Sequence, residues 1–250
     1  MKISIITATY HSEATIEACM DSVLGQGYSD LEYLILDGGS KDGTMARIQQ
    51  CVDPRVRVIS EPDQGIYDAL NKGIAMATGE VIGFVHSDDF LASDDCLANM
   101  LHLFESEKVD GVYGDLHYVD AQETARVVRN WKSKPFHRAL LRRGWMPAHP
   151  TLFLKKEVYD KHGVFNLEFK IAADYDMMLR IFKDDTLKFA YLPQVVTKMR
   201  LGGVSNGSLK SIIRKTREDY KAMKYNQLSN PLYTICAKNL SKIPQFFTKG

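Results

Sequence analysis

Short apolar runs alternate with amphipathic segments along the first hundred residues of the chain. Each run is bounded by polar or turn residues, which is typical of buried strands. The predicted strands are Lys2–Thr9, Leu31–Leu36, Val56–Ile59 and Val81–Val85, and the predicted helices are Glu13–Gly25, Thr44–Gln50 and Gly65–Ala77. This alternation predicts an α/β fold with a Rossmann-like, mostly parallel central sheet and helices on both faces.

The pattern changes after Asp110. Two strands there have the form of a β-ribbon, a short basic helix follows, and a longer helix then precedes another stretch of strands. These elements are Gly111–Val119, Arg126–Trp131, Phe136–Arg143, Ala173–Phe182 and Leu187–Met199. A basic helical tail begins at about Ser208. We therefore predict a first half over 1–110, a second half over 111–205 and a C-terminal helical tail over 206–250.

Right-handed crossovers between parallel strands place every strand-to-helix loop at the same edge of the sheet. The loops Tyr10–Ser12, Asp37–Asp42 and His86–Asp89 should therefore converge, although they are distant in sequence. Open α/β sheets bind their ligands at this edge. The chain has neither a Gly-x-Gly-x-x-Gly motif after the first strand nor a Gly-Lys-Ser/Thr phosphate loop, which argues against dinucleotide cofactors and ATP hydrolysis.

Two adjacent carboxylates, Asp88 and Asp89, follow the fourth predicted strand. They repel each other unless a cation lies between them, and no Lys or Arg occurs between Glu80 and Lys108 to supply that charge. The natural cation is Mg²⁺ or Mn²⁺, which takes oxygen ligands and commonly carries a phosphate. The alternative interpretation is an Asp-rich turn that caps the next helix.

Polar residues near two other strand ends carry candidate chemistry. Asp37 ends the second strand and opens a glycine-containing segment, in which the backbone can approach a ligand closely. Its carboxylate can accept hydrogen bonds from a base or ribose, or it can serve the turn alone. Asp68 and Asn71 share a helical face with Tyr67. That face can line a nucleotide pocket, or it can pack under a loop.

Two residues of the second half are candidates for the acceptor side of a reaction. Asp174 lies at a helix start, where the helix dipole favours its ionised form. It is a candidate general base if the site is dry, and an N-cap otherwise. His149 lies in a loop between Pro147 and Pro150. It can contact a substrate hydroxyl or phosphate, and the alternative is a packing or surface residue.

Charge is distributed very unevenly along the 250 residues. The net charge is +1, but residues 1–125 carry −15 and residues 126–250 carry +16. A basic second half suits anionic lipid or phosphate-bearing acceptors as well as nucleic acid, and a solvated face is the plain alternative. The chain opens on a strand pattern rather than a signal peptide, has no apolar run near ~18 residues, and has four scattered cysteines. We therefore expect a cytoplasmic protein with reduced thiols.

Taken together, these segments resemble the inverting glycosyltransferases of family 2, which have the GT-A fold. The resemblance rests on TATYHS (7–12), DGGSKDGT (37–44), EPDQGIYDALNKGIAMATGE (61–80), HSDD (86–89), AADYDMMLR (172–180) and Gly202–Ser205. It covers roughly residues 2–205 in the order of the family. The members most similar to this chain act in the assembly of bacterial capsule, O-antigen or exopolysaccharide.

The resemblance implies a nucleotide-binding first half and an acceptor-binding second half. The residues that would hold the base of a nucleotide-sugar, usually UDP-linked, are Thr7, Ala8, Tyr10 and Asp37. Those that would face the nucleotide or the donor sugar are Asp68 and Asn71. His149 remains a candidate contact for the acceptor.

The resemblance also implies the reacting groups. Asp88 would contact the ribose and the metal, Asp89 would bind the Mn²⁺ or Mg²⁺ that bridges the diphosphate, and Asp174 would deprotonate the acceptor hydroxyl. Two positions depart from the family pattern. His86 stands where many members have Asp, which leaves two carboxylates in the cluster, and Ala173 stands where Glu is common. No Gln/Arg-x-x-Arg-Trp motif follows, which argues against a processive synthase.

We therefore expect a membrane-peripheral enzyme at the inner face of the plasma membrane. It would move one sugar from a nucleotide-sugar to a lipid-linked saccharide, touch the membrane through its basic second half, and have no nucleic-acid partner. One alternative is a metal-dependent nucleotidyltransferase, although the chain lacks the expected glycine-rich triphosphate loop. The other is a non-catalytic subunit that binds a nucleotide-sugar within a polysaccharide assembly complex.

Overall fold

The computed structural model describes residues 1–202 and 209–241 of the chain. Its strands are Ile3–Thr9 (β1), Leu31–Asp37 (β2), Val56–Ser60 (β3), Val81–Phe84 (β4), Asp89–Leu91 (β5), Gly111–Val119 (β6), Val127–Trp131 (β7), Phe153–Lys155 (β8) and Phe189–Arg200 (β9). Its α-helices are Ile16–Leu24 (α1), Thr44–Gln49 (α2), Ile66–Met76 (α3), Cys96–Glu107 (α4), Lys156–His162 (α5), Ala173–Lys183 (α6), Leu209–Tyr225 (α7) and Pro231–Leu240 (α8). Short 3₁₀ helices occupy Arg138–Arg143 and His149–Thr151.

The strands form one mixed sheet in the order β3-β2-β1-β4-β8-β6-β9-β5, and β7 pairs with β6. The strands β3, β2, β1 and β4 run parallel to one another. β8 is antiparallel to both of its neighbours and connects this parallel half to the strands of the second half. The predicted α/β fold is confirmed, and the β-ribbon predicted after Asp110 is the antiparallel pair β6 and β7.

The central parallel strands are buried on both faces because helices cover both sides of the sheet. All residues of β1, β2 and β4 are buried, which explains why these strands are nearly continuous apolar runs. Neighbours along β1 alternate between two apolar clusters, so that Ile5 belongs to one and Ile6 to the other. Gly83 of β4 lets the Phe153 ring lie against the backbone, because an added Cβ would be 2.3 Å from that ring.

Two short strands differ from the expectation. The sequence analysis assigned no strand to β5 or β8, each of which has only three residues and shows no periodicity of its own. Their pairing partners lie far along the chain, β5 against β9 and β8 against β4 and β6. Long-range pairing therefore determines these strands. The strands predicted over 187–199 form the single strand β9.

The helices of the tail pack against the rest of the fold. Ala222 and Met223 of α7 are fully buried within the apolar cluster that also contains the core of α6. Ile235 of α8 belongs to the same cluster. Among the described helices, none is long and apolar enough to cross a membrane. The end of the glycine motif (203–205) and the last part of the tail (242–250) lie outside the described residues.

Candidate active site

The loops after β1, β2 and β4 meet at the carboxyl edge of the sheet, as predicted. Ser12 Oγ lies 2.8 Å from Ser87 Oγ, across 75 residues of sequence. The His11 N–H donates a hydrogen bond of 2.8 Å to Ser40 Oγ. These contacts join all three predicted loops, and we call the surface around them the carboxyl-edge site.

The residues predicted to hold a base differ in their accessibility. Thr7 is fully buried and donates a hydrogen bond of 2.6 Å to the Val85 carbonyl, so it fastens β1 to the end of β4. Ala8 is 6% exposed, whereas Tyr10 is 60% exposed and its ring is stacked on His11. The Tyr10 ring is thus a flat surface on which a base can stack.

The Asp37 carboxylate is already engaged by its own loop. It accepts hydrogen bonds from Ser60 Oγ at 2.6 Å, from the Ser40 N–H at 3.1 Å and from the Gly39 N–H at 3.2 Å. Gly39 has φ = +83°, a conformation that favours glycine. Through these contacts Asp37 stabilises the turn that follows β2. A contact between Asp37 and a nucleotide stays a prediction.

The predicted polar face of α3 contacts the segment that precedes α6. Asn71 exchanges two hydrogen bonds of 2.9 Å with the backbone of Phe165, which engages both ends of its amide. The Tyr67 hydroxyl donates to the Ile171 carbonyl at 2.9 Å. Asp68 accepts a bond from a backbone N–H of the preceding loop. The spacing correctly predicted a shared face for Tyr67 and Asn71, and that face packs under a loop.

The two adjacent carboxylates have different environments. Asp88 is partly exposed, whereas Asp89 is fully buried at the start of β5. Asp89 Oδ1 accepts a hydrogen bond of 3.2 Å from the Arg200 N–H, and Oδ2 receives none from the described part of the chain. Burial, together with the neighbouring Asp88 charge, raises the pKa of Asp89 well above its usual range. A bound cation would instead lower the pKa of Asp89.

Arg200 brings the end of β9 to these carboxylates. Besides its N–H bond to Asp89, its guanidinium donates a hydrogen bond of 2.7 Å to the Asp88 carbonyl and lies 4.8 Å from the centre of the Phe90 ring. The cation therefore holds the backbone around the acidic pair.

The acidic pair fits a divalent cation only with help from a ligand. Within residues 1–202 and 209–241, no three His, Cys, Asp or Glu side chains form a group that could hold a metal ion. Asp88 and Asp89 nevertheless offer carboxylate oxygens, one of them buried without a donor. Mg²⁺ and Mn²⁺ are commonly bound by one or two carboxylates and complete their coordination with phosphate oxygens and water. The residues present are compatible with such an ion.

Asp174 lies in the first turn of α6, and its side chain is partly exposed. The helix begins at Ala173 with Ala172 in the cap position, so Asp174 is not the N-cap. Its Oδ1 accepts a hydrogen bond of 2.8 Å from the Tyr175 N–H and lies 3.4 Å from the Tyr67 hydroxyl. These contacts orient one carboxylate oxygen.

His86 and Tyr118 connect the acidic pair with Asp174. Burial lowers the pKa of His86, while the charges of Asp88 and Asp174 both act to raise it. Burial raises the pKa of Tyr118, and the charges of Asp89 and Asp174 act in the same direction. Asp174 and the acidic pair therefore act electrostatically on the same two side chains.

The His149 ring lies 6.2 Å from the ring of His86. It is 7% exposed, stacked on Phe84 at a ring distance of 5.4 Å and in edge contact with Phe165 at 5.5 Å. Its Nε2 is buried and has no hydrogen-bond partner among the described residues. Burial lowers its pKa to about 4, and His86 acts in the same direction while Asp174 opposes it. The imidazole is therefore neutral at pH 7, and a contact with an acceptor stays a prediction.

Arg200 and Tyr118 were not among the predicted site residues. Both lie on strands of the second half, β9 and β6, in which Val119 pairs with Arg200 and Tyr118 pairs with Met199. In the sequence, the only feature that pointed to Arg200 was its positive charge near the end of a predicted strand. The pairing that brings β9 against Asp89 could not be foreseen from local pattern.

The order of the strands gives this chain an open α/β sheet, and sheets of this class bind ligands where their parallel strands end. The model of the family described as glycosyl transferase family 2 matches residues 4–163. A PGL/p-HBAD biosynthesis glycosyltransferase of Mycobacterium tuberculosis strain H37Ra is 32% identical over 214 residues, which cover 81% of this chain and 78% of the relative. The chain belongs to glycosyl transferase family 2 and is a glycosyltransferase.

Other relatives are longer than this chain. A chondroitin synthase of Pasteurella multocida is 29% identical over 212 residues, and the match covers 84% of this chain but 22% of that protein. Staphylococcal TarS 1–349 in complex with UDP-GlcNAc has a TM-score of 0.68 at 17% identity, covering 90% of this chain and 65% of that one. The mannosyltransferase PcManGT of Pyrobaculum calidifontis, in complex with GDP-Man and Mn²⁺, has a TM-score of 0.65 at 20% identity, covering 97% and 75%. These likenesses confirm the predicted GT-A fold.

Proposed function

We propose that this glycosyltransferase moves one sugar from a UDP-sugar to a lipid-linked saccharide, with inversion at the anomeric carbon, in the assembly of a bacterial surface polysaccharide. The observation that carries the proposal is the acidic pair at the carboxyl edge of the sheet, where a buried Asp89 oxygen has no hydrogen-bond donor among the described residues. Asp174, at the start of α6, acts electrostatically on the same His86 and Tyr118 side chains as this pair. The pair suits the leaving diphosphate, and Asp174 suits the attacking hydroxyl. TarS with UDP-GlcNAc and the mycobacterial role in PGL/p-HBAD biosynthesis support the donor and the type of pathway.

Asp88 and Asp89 would hold Mn²⁺ or Mg²⁺ at the diphosphate. When bound, the ion would neutralise charge on the departing nucleoside diphosphate as a Lewis acid. The unpartnered Asp89 oxygen supports this assignment, because a buried carboxylate needs a cation or a proton. The Mn²⁺ in the PcManGT complex supports the class of ion.

Asp174 would act as the general base. Its carboxylate takes the proton of the acceptor hydroxyl while the hydroxyl oxygen bonds to the anomeric carbon and the bond from that carbon to the diphosphate breaks. One displacement without a covalent intermediate inverts the configuration at that carbon. Tyr10 would stack on the uracil. His149 lines the acceptor side as a neutral imidazole.

The test combines donor binding with turnover. Thermal shift with UDP-, GDP- and dTDP-sugars, with and without Mn²⁺, should give stabilisation by a UDP-sugar that Asp89→Ala abolishes. Asp174→Asn should keep that shift and lose sugar transfer, and NMR of the product should show the inverted anomer. Binding by the wild type without turnover on any acceptor would favour the non-catalytic subunit. Release of pyrophosphate from a nucleoside triphosphate would favour the nucleotidyltransferase.

The outer face of α8 supports the proposed membrane contact. Its exposed side chains are mostly apolar, with Leu232 at 69%, Tyr233 at 62% and Leu240 at 64% exposure, whereas Lys238 on the opposite face is buried. An ordinary surface helix buries its apolar side chains and exposes its charged ones, which is the reverse of this arrangement. The neighbouring helix α7 presents the exposed cations Lys215, Arg217, Lys221 and Lys224, whereas Arg214 of the same helix pairs with Glu218. Apolar side chains beside cations suit the interface of an anionic bilayer.

Vesicle flotation tests this contact. The wild type should float with vesicles that contain anionic lipid and less with purely zwitterionic vesicles. The double variant Leu232→Ser/Leu240→Ser should lose most of that binding, while Val52→Ser, at an exposed apolar residue distant in sequence, should not. Equal flotation of all three proteins would refute the contact through α8.

A further inference from the structure

We infer that Glu218, on α7 of the tail, is a positioning residue for Asp174; the inference rests on the proposed role of Asp174 as the base. Glu218 Oε2 accepts hydrogen bonds from the Ile171 N–H at 2.7 Å and from the Ala172 N–H at 3.2 Å. These two residues immediately precede α6. A carboxylate that accepts two backbone N–H bonds forms charge-assisted contacts, which are stronger than neutral ones.

The peptide between Ile171 and Ala172 is held from both sides. Its N–H donates to Glu218, and its carbonyl accepts the hydrogen bond of the Tyr67 hydroxyl at 2.9 Å. The same hydroxyl lies 3.4 Å from Asp174 Oδ1. Any movement of this peptide therefore moves both the start of α6 and the hydroxyl that contacts the base.

The segment that Glu218 anchors is held by side chains, among them Asn71 at Phe165 and Arg180 at Val164. Residues 163–172 form no helix or strand, so no regular backbone ladder fixes them. Glu218 itself is well placed to hold the segment, because its side chain is only 15% exposed and belongs to a helix whose Ala222 and Met223 lie in the core. The anchor thus comes from a rigid element.

A second contact from the tail holds the residue that follows the base. Lys238 of α8 lies 3.3 Å from the centre of the Tyr175 ring and 2.8 Å from Asp219 of α7. The backbone N–H of Tyr175 donates to Asp174 Oδ1. α8 therefore contacts the ring of the residue whose N–H fixes one oxygen of Asp174, and α7 contacts the backbone immediately before α6.

Kinetics of three variants test the inference. Glu218→Ala removes both bonds, and Glu218→Gln keeps an acceptor oxygen in the same place. Arg214→Ala is the matched control, because it removes only the exposed ion-pair partner of Glu218, 3.8 Å away. A small displacement of a reacting group costs up to about 100-fold in rate. We expect Glu218→Ala to lower kcat about 10- to 100-fold at an unchanged donor KM, Glu218→Gln to restore most of it, and Arg214→Ala to have no effect.

The outcomes separate the possible failures. No sugar transfer by the wild type would refute the proposed function and the role of Glu218 with it. Transfer by the wild type with full kcat in Glu218→Ala would refute the positioning role alone. A purely structural role would lower the melting temperature and the folded fraction, with an unchanged kcat per folded molecule and no rescue by Glu218→Gln. Faster hydrogen exchange at the Ile171 and Ala172 amides in Glu218→Ala would give independent support.

Discussion

Replacement of His149 by phenylalanine should change how stability depends on pH. His149 is buried between two aromatic rings, and its pKa falls from 6.5 to about 4. An unfolded chain therefore binds a proton at His149 between pH 6.5 and 4 that the folded chain does not. At ~1.4 kcal/mol per pH unit, this residue alone should lower the free energy of unfolding by about 3 kcal/mol as the pH falls through that window.

Urea unfolding of both proteins from pH 7 to pH 4 measures the effect. The His149→Phe variant keeps an aromatic ring against Phe84 and has no group to protonate at this position. As the pH falls from 6.5 to 4, its free energy of unfolding should therefore rise by about 3 kcal/mol relative to that of the wild type. His86 and Asp174, which face His149, remain in both proteins. Phe84→Leu is the control, because it weakens the packing without changing a charge and should shift the curve by a constant amount. Parallel curves for wild type and His149→Phe would refute the reasoning.

Three further predictions concern stability. Lys238→Met should lower the free energy of unfolding in urea by about 3–5 kcal/mol, because it leaves Asp219 buried without its cation. The double variant with Asp219→Leu should recover most of that loss. Equal losses in the single and double variants would contradict this explanation. Asn71→Ala should lower the free energy of unfolding by about 2 kcal/mol, because two hydrogen bonds to the Phe165 backbone are lost. An unchanged free energy of unfolding would contradict these contacts. Burial acts to raise the pKa of Glu32, but hydrogen bonds from Ser4, Thr78 and Arg57 outweigh it, and the pKa is lowered. The ionised Glu32 therefore stabilises the folded state above pH 4.5, and this stabilisation is lost as the pH falls further. The stability difference between wild type and Glu32→Gln should therefore shrink below pH 4.5, and a constant difference in acid titrations would exclude this cause.

The first half of the fold was predictable because each strand carries its own signal. β1, β2 and β4 are buried on both faces, which leaves an apolar run in the sequence. The convergence of the loops at Ser12 and Ser87 followed from the handedness of parallel crossovers alone. β5 and β8 could not be foreseen, since three residues have no period and their partners lie distant in sequence.

The site was predictable in residue type but not in the direction of each side chain. The acidic pair and Asp174 act electrostatically on the same two side chains, His86 and Tyr118, and their roles in the reaction stay predictions. Asp37 and Asn71 were placed on the correct loop and face, yet their hydrogen bonds are made with other groups of the protein itself, the Ser60 hydroxyl and Ser40 N–H for Asp37 and the Phe165 backbone for Asn71. Sequence spacing determines which residues share a face, and only tertiary packing determines what that face meets.

The packing of α7 and α8 limits how this fold can be divided. A fragment that ends at residue 205, where the family-like motifs end, would lack the side chains of Ala222 and Met223 that fill the core beside α6. It would also lose the carboxylate of Glu218 from the backbone before α6. Chimeras that exchange acceptor halves between family members should therefore transplant α6, α7 and α8 as one unit, and a truncated expression product is a poor substitute for the whole chain in ligand screens.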